Sequence, residues 1–400
     1  MAITPAAQHP YSPQPSRNLR LSIVTETYPP EVNGVAMTAS RLVGGMLARG
    51  HHVQLVRPRQ TADDDQRCEG ALEIITHPGL TIPWYRELKL GLPVGHALVR
   101  LWRSAPPDLV HIETEGPLGR AALRAAQRMR LPVATGFHTN FHQYSGHYGL
   151  GLLAKPIVAY LRRFHNRAAL TLVPTAELAS QLGAQGFNSL RVLSRGVDTR
   201  LFSPKRRDQG LRQSWGAGPA DIVMLYVGRL APEKNLELAI QAFQGARQVQ
   251  PRTLFVLVGD GPMRSRLRAQ YPQFVFCGMR RDEDLAAHYA SGDMLLFPSL
   301  TETFGNVTLE AMASGLAVVA FDYAAARCHV ANGQSGMLAP VGDNAAFIEA
   351  VRTLVCQPVT IRRLGQAARR AAEQCSWEQI HDALEAIFLE LTVDRHEQVY

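Results

Sequence analysis

No apolar run in these 400 residues approaches the roughly 18–20 that a membrane-spanning helix needs; runs such as Met294–Phe297 and Leu316–Phe321 are strand-length. No CxxC pair occurs among the five cysteines, Cys68, Cys277, Cys328, Cys356 and Cys375. Their odd number and scatter argue against a disulfide framework, and buried, inert thiols are expected. The segment Met1–Pro15 contains Pro and Ser but no apolar core of signal-peptide type, which points to a disordered tail over residues 1–18 and to a cytoplasmic protein. Neither a solenoid period nor a low-complexity tract beyond that tail is present. Zinc-finger, RNP and recognition-helix patterns are also missing, so no nucleic-acid partner is expected.

What is present fits a folded globular chain: 46% hydrophobic and 19% charged residues. The length exceeds what one ordinary core fills, so two domains are expected. The net charge of +8 is uneven. Up to Lys205 there are 23 Lys and Arg against 13 Asp and Glu, and beyond it 19 against 21. A basic first half suits an anionic membrane surface or phosphate-bearing substrates, or serves solubility alone.

Leu19–Thr25 reads as a strand, Tyr28–Gly34 as a turn-rich loop, Met37–Arg49 as a helix stopped by Gly50, and His52–Arg57 as a second strand. Asp108–Ile112 and Leu131–Gly136 continue this βαβ alternation. The second half starts afresh with Asp221–Gly228, a helix over Leu236–Gln250, Thr253–Gly259, and strands at Phe274–Phe276, Asp293–Phe297 and Ala317–Phe321. Gly196–Pro204 reads as the linker. Alternation of this kind predicts an α/β protein of two doubly wound, Rossmann-like domains facing each other across a cleft. Ligands of such sheets bind beyond the carboxyl ends of the strands.

Loops after those strands hold the informative residues. Arg229 and Lys234 follow the strand glycine Gly228 and precede a helix. A planar guanidinium, a point-charge ammonium and helix-start amides together suit a diphosphate. Glu302 and Glu310 flank Phe304, Gly305, Asn306 and Val307 where a strand gives way to a helix. Two such carboxylates can accept from sugar and ribose hydroxyls, or can be a solvated loop acid and a favourable first-turn acid. Asp63-Asp64-Asp65 could suggest a metal, but it lies in a polar loop far in sequence from the phosphate residues and reads as solvated.

The order Gly-Arg229-Leu-x-x-Glu-Lys234, Val258-Gly259-Asp-Gly-Pro, Glu302-x-Phe304-Gly305…Leu-Glu310-Ala-Met-Ala-x-Gly, closing on Ser376-Trp377, resembles the donor half of glycosyltransferase family 4. The likeness runs from about residue 19 to about residue 390. It implies retaining enzymes of the GT-B architecture: an acceptor domain over residues 19–200, a donor domain over 201–375, and a C-terminal helix, 376–400, packing back on the first domain. It further implies that Arg229 and Lys234 bind the donor diphosphate, Glu310 the ribose and Glu302 the donor sugar. Gly259 and the backbone of Phe304, Gly305, Asn306 and Val307 would line the donor site. Glu26–Gly34 resembles the family's glycine loop, with Gly34 closing on the diphosphate, and Gly136–Asn140 its His138-bearing loop at the transfer point. The stretch Phe321–Arg327 departs from the family's Gly-Gly-type loop, which leaves its contacts open.

Glycosyl transfer from a nucleotide sugar follows, with no cofactor and no metal expected. Charge growing on the leaving diphosphate would be met by Arg229 and Lys234, and the two glutamates would hold the donor rather than act as a glycosidase pair. The segments Asp108–Gly119 and Phe137–Tyr144 resemble the subgroup that glycosylates diacylglycerol or phosphatidylinositol. Tyr148–Arg167, apolar at 152, 153, 157, 158, 161 and 164 with basic residues between, reads either as a basic amphipathic helix lying on anionic lipid or as a core-packing helix. A lipid acceptor at the inner face of the plasma membrane is the expectation; a soluble or polysaccharide acceptor, a GT-B epimerase and a non-enzymatic nucleotide-sugar sensor are the alternatives. GDP-mannose, UDP-glucose and UDP-uronic acids all remain possible donors.

Overall fold

The computed structural model describes residues 17–31, 33–60, 64, 66–82, 85–138 and 151–397. Among them, the first half forms β1 (Arg20–Val24), α1 (Gly34–Ala48), β2 (His52–Pro58), β3 (Arg67–Glu69), β4 (Leu72–His77), the hairpin β5 (Gly79–Ile82) and β6 (Tyr85–Gly91), and α2 (Gly95–Ser104). There follow β7 (Leu109–Ile112), α3 (Pro117–Arg128), β8 (Val133–Gly136), α4 (Gly151–His165), β9 (Leu170–Val173), α5 (Ala176–Ala184) and β10 (Leu190–Val192). The sheet order is β10-β9-β8-β7-β1-β2-β4-β3, parallel except for the β3–β4 edge. Its central strands are buried on both faces, so they read as continuous apolar runs rather than alternating ones.

The second half repeats the plan with α6 (Gln209–Ser214), β11 (Ile222–Val227), α7 (Leu236–Val249), β12 (Thr253–Val258), α8 (Arg264–Gln270), β13 (Val275–Gly278), α9 (Asp282–Ser291) and β14 (Met294–Phe297). It closes with α10 (Asn306–Ala313), β15 (Ala317–Phe321), α11 (Ala324–His329), β16 (Gly336–Ala339), α12 (Asn344–Val355), α13 (Pro358–Ala372) and α14 (Trp377–Glu397). The strand order β13-β12-β11-β14-β15-β16 is that of a doubly wound dinucleotide fold. Each sheet reverses direction of winding once, beside β1 and beside β11, and the loops at those switch points carry the candidate residues.

The chain crosses between the halves twice, and the crossings are bonded to each other. Val197 N–H donates to Cys375 O at 2.9 Å, and Val197 bridges Ser376 in parallel. A Cβ on Gly196 would overlap the Trp377 backbone. Beyond the second crossing, α14 lies on α1: no Cβ fits on Gly45 against the His381 ring, and Leu384, Ile387 and Phe388 share a core with Leu42, Met46 and Leu109. Three further contacts join the halves: Thr303 Oγ1 donates to His138 O at 2.8 Å, Arg327 pairs with Glu177 at 2.8 Å, and the Arg195 guanidinium lies 5.9 Å from the Phe304 ring centre.

Two sequence expectations change, and of the two readings of α4 the core-packing one holds for its described side chains. The cysteines are not buried: Cys68, Cys328 and Cys356 are exposed and Cys277 and Cys375 partly so, because they occupy an edge strand, helix ends and a domain crossing rather than sheet centres. Asp64 is not solvated; its carboxylate takes both guanidinium nitrogens of Arg57, at 2.5 and 2.7 Å, and the Arg57 bond holds its pKa below the usual range. Asp63 and Asp65 lie outside the described residues, as do residues 1–16, Thr139, Asn140 and Phe141–Leu150. The apolar stripe of α4 turns inward: Leu161 and Phe164 are buried, and Ile157 and Val158 pack on a core with Phe137 and Leu182. Lys155, Arg162 and Arg163 remain exposed. The edge strand β3 and the β5–β6 hairpin were not anticipated; with β4 they interrupt the βαβ rhythm between β2 and α2.

In the stretch that departs from the family pattern, Ala324 takes φ +50°, a region that costs an L-residue about 1–2 kcal/mol. Ala325 N–H then bonds Phe304 O at 2.8 Å, so the turn holds the Glu302–Gly305 loop. Ala324→Gly is expected to remove that strain without loss of the bond and to raise the urea midpoint by the equivalent of about 1 kcal/mol; an unchanged or lower midpoint would count against the strain.

Candidate active site

In the second half, β11 ends at Val227 and the chain turns through Gly228 (φ +143°) into Arg229 and a single 3-10 turn, Pro232–Lys234. Asn235 takes a left-handed conformation (φ 54°) and donates to Pro298 O at 3.2 Å, tying this loop to the one after β14. The result is a contact between the predicted cation and acid: Lys234 Nζ lies 2.5 Å from Glu302 Oε1, which also accepts from Ser299 Oγ at 2.7 Å. Tyr323 Oη donates to Glu302 O at 2.6 Å, fixing the backbone of that loop from α11. Arg229 is exposed on the outer side, bonded to Glu233 at 3.3 Å. Gly259 lies against this turn, where a Cβ would overlap the Gly228 carbonyl oxygen. Its glycine is required by the close approach of two backbones.

Gly305, at φ +92°, is the residue before α10. It lets the chain leave Phe304, which is buried, and enter the helix at Asn306. Val307 packs partly on the donor-domain core. Glu310 lies one turn into α10 and accepts from Tyr289 Oη at 2.9 Å. Burial raises its pKa, against the Tyr289 bond and the charge of Arg41, which reaches over from α1 of the other domain. Arg41 is itself paired with Asp198 at 3.3 Å.

The opposite wall is built from the ends of β1, β7 and β8. His138 follows β8 and takes part in a buried chain of polar groups. Its Nε2 bonds Glu113 Oε2, while its Nδ1 accepts from Arg195 Nη2 at 2.8 Å. A guanidinium only donates, so Nδ1 carries the lone pair and Nε2 the proton. Glu113, wholly buried, also takes His111 Nε2 at 2.8 Å. Burial alone would raise the Glu113 pKa; the two imidazoles outweigh it and hold the carboxyl well below the usual range. Arg195, buried, also donates to Thr38 Oγ1 and to Gly34 O at 3.4 Å. Burial lowers its pKa to about 10, against the pull of Glu113, so it stays charged at neutral pH.

Gly34 opens α1 behind the N-cap Asn33, whose Oδ1 accepts from Val35 N and Ala36 N at 3.1 and 2.8 Å. A Cβ on Gly34 would meet nothing; no contact within the chain demands glycine there. Beside it, Glu26 accepts from Leu118 N at 2.8 Å and caps α3, whose own N-cap residue is Gly116. Burial pushes the Glu26 carboxyl up to about 7, against the Leu118 bond and with the help of Glu115.

The structure therefore brings Lys234, Glu302, Phe304 and Gly305 against His138 and Gly34, through Thr303 and Arg195. Glu310 sits farther along α10 with Tyr289, and Arg229 stays at the rim. Sequence reasoning missed Arg195, Glu113 as an ionised hub, Tyr289 and Tyr323. Arg195 directly precedes the linker beginning at Gly196, a position whose basic residue could have drawn attention; nothing in the sequence marks the two tyrosines. Among the described residues no three His, Cys, Asp or Glu side chains converge as a metal site, and no helix is long and apolar enough to cross a membrane.

Two parallel sheets meeting at their switch points, with a cation–acid pair on one wall and a histidine on the other, define a GT-B glycosyltransferase. Residues 32–201 match the family model described as glycosyltransferase family 4, and residues 221–357 that of glycosyl transferases group 1. The chain is 33% identical over 370 residues to a GDP-mannose-dependent alpha-mannosyltransferase of Mycobacterium tuberculosis, covering 92% of this chain and 95% of that one. It is 24% identical to the alpha-monoglucosyldiacylglycerol synthase of Acholeplasma laidlawii, over 93% and 97% of the two chains. In architecture it is similar to sucrose-phosphate synthase from Thermosynechococcus elongatus, with a TM-score of 0.78, 18% identity, and coverage of 94% and 100%. The chain belongs to glycosyltransferase family 4.

Glu310→Ala is expected to weaken nucleoside-diphosphate binding about tenfold, with a smaller effect on turnover of saturating donor; Glu302→Ala is expected to lower turnover by about a hundredfold. Calorimetric titration and initial rates check the split, and two fully active variants would remove both residues from the site. For Glu26, a folded-state pKa of about 7 lies above the unfolded value. Ionising it therefore costs stability progressively as pH rises from about 4.5 through 7. Glu26→Gln should match the wild-type Tm near pH 4 and exceed it at pH 8; equal Tm values at both would contradict the raised pKa.

Proposed function

We propose that the chain is a retaining, metal-independent hexosyltransferase that moves a hexose from a nucleoside-diphosphate sugar, of GDP-mannose or UDP-glucose type, to a hydroxyl of a lipid such as diacylglycerol. The observation that carries this reading is the Lys234–Glu302 pair at 2.5 Å, on the loops after β11 and β14, joined to His138 through Thr303. When the donor enters, the ammonium exchanges Glu302 for the diphosphate and the carboxylate turns to the sugar hydroxyls. Arg229 folds in from the rim, and Glu310 takes the ribose. Negative charge gathering on the leaving diphosphate meets Arg229, Lys234 and the amides at the start of α10, all oriented before the bond breaks. Glu302 is bound to Lys234 and Glu310 to Tyr289, which favours holding the donor over nucleophilic attack.

The named relatives support a mannosyl donor and a diacylglycerol acceptor. An anionic membrane surface is supported by α3 and α4. They lie side by side, with the Arg120 guanidinium 5.8 Å from the Tyr160 ring centre, and expose Arg120, Arg124, Arg128, Arg162, Arg163 and Arg167. The apolar stripe of α4 faces inward, so this face would meet lipid by charge. A peripheral enzyme at the inner leaflet follows.

The test is a donor panel with diacylglycerol in phosphatidylglycerol vesicles, reading released GDP or UDP and the anomeric configuration of the product. Acceptor-dependent release with an α-linked product from an α-linked donor is expected. Nucleotide release that ignores the acceptor would overturn the transfer reading. Arg120→Glu with Arg163→Glu should weaken vesicle sedimentation at least about threefold at low salt; unchanged sedimentation would remove the membrane surface while leaving transfer intact.

A further inference from the structure

The residue immediately before the first domain crossing reaches into both walls of the site. Arg195 is 6% exposed and has four partners from three separate segments. It donates to His138 Nδ1 at 2.8 Å, to Gly34 O at 3.4 Å and to Thr38 Oγ1, and its guanidinium lies 5.9 Å from the ring centre of Phe304 in the donor domain. Gly34 and Thr38 belong to α1, His138 follows β8, and Phe304 sits two residues after Glu302. Thr303, between Glu302 and Phe304, bonds the His138 carbonyl at 2.8 Å. A lysine could not do this: three acceptors and an aromatic face at fixed angles call for a planar fork.

We propose that Arg195 is a positioning residue for sugar transfer, which holds His138 in its neutral Nε2–H form and ties the Gly34 turn, the His138 loop and the Phe304 loop into one register. The proposal rests on the reading of His138 as facing the donor sugar. The first part is a matter of hydrogen-bond valence. A guanidinium has no lone pair to offer, so while it occupies Nδ1 no proton can bind there, although the ionised Glu113 on the other side of the ring would favour an imidazolium. The charged and titratable groups facing His138 are Glu113 at the end of β7, Arg195 after β10 and His165 of α4; His111 shares the Glu113 carboxylate. His165 is itself held down to about 3 by burial, so it stays neutral. The cluster is then balanced, one carboxylate against one guanidinium with a neutral imidazole between them. A charged His138 would upset that balance and place a second cation beside Arg195.

The second part is geometric. α1 starts at Gly34, and its first carbonyl is held by Arg195 rather than only by the helix. Moving the donor-domain loop by sliding Phe304 across the guanidinium therefore pulls on the same side chain that holds His138 and the Gly34 turn. Closure of the cleft and orientation of the histidine become one event.

Two variants test this, Arg195→Ala and the milder Arg195→Gln, with two independent readouts. In histidine-15N-labelled protein, the His138 signals, assigned by comparison with His138→Gln, are expected to show the Nε2–H tautomer in the wild type across pH 5–8. In both variants, where Nδ1 has lost its donor, that pure Nε2–H signature is expected to be lost. In steady-state assays, kcat should fall by about tenfold or more, as for a reacting group misplaced by less than 1 Å, and its acidic limb should move to higher pH. Affinity of the nucleoside diphosphate, held by the other domain, should stay within about threefold. A merely structural role would lower Tm yet leave the tautomer and the pH limb where they were. A wild-type His138 that lacks the Nε2–H tautomer, or variants with an unchanged tautomer and an unchanged pH limb, would overturn the proposal. The spectrum needs no turnover, so failure of the glycosyl-transfer reading would not be mistaken for failure of this one. If Arg195→Ala does not fold, Arg195→Gln and the wild-type spectrum decide alone.

Discussion

The backbone bond from Val197 to the carbonyl of Cys375 joins the outgoing and returning strands of the chain where they pass between domains. With Gly196 pressed on the Trp377 backbone and α14 locked onto α1, it leaves the donor domain attached by two parallel spans rather than one. Two adjacent spans permit bending about their common line and resist twisting across it. That restriction keeps the carboxyl ends of the two sheets opposite each other, so that loops after β1, β7 and β8 meet loops after β11 and β14. Thr303 to His138, Arg195 to Phe304 and Arg327 to Glu177 then bridge the two halves away from the crossing in sequence.

Charge in the cleft is arranged in mutual pairs. Lys234 holds Glu302, Arg229 holds Glu233, Arg41 holds Asp198, and Arg195 balances Glu113 through His138. Such pairing limits the desolvation cost of packing ionised groups under two domains. It also sorts them by function. The Arg229–Glu233 and Lys234–Glu302 pairs keep some exposure to solvent, so breaking them leaves their members accessible to water. In the buried Glu113–His138–Arg195 chain, any member left alone would instead be an uncompensated group in a low-dielectric interior. The first set suits binding and the second suits alignment.

The βαβ rhythm, the two-domain plan and the loops bearing Arg229, Lys234, Glu302 and Glu310 were legible because strand, turn and helix signals are local: apolar runs of fixed length, glycines at turns, acids and cations at strand ends. The inward turn of α4 was not, because a helix with one apolar stripe looks the same whether it faces lipid or protein; only Phe137, Leu182 and Phe187, packed with Leu161, decide it. The exposure of the cysteines was equally invisible, since a thiol beside small residues reads as core until the outer faces of α11 and α12 are known.

The sequence by itself determined which residues could meet a nucleotide sugar, and through their order, which family they belong to. It could not determine who holds whom. Lys234 and Glu302 are 68 positions apart, His138 and Thr303 are 165, and Arg195 and Thr38 are 157. Hydrogen bonds of that span depend on the stacking of strands within each sheet and on the angle between the two sheets. Those are set by the burial of whole faces and by the double crossing, not by any local run of residues. For that reason the tertiary structure alone turned a candidate histidine into one with a fixed tautomer, and an unremarked arginine into the residue that fixes it.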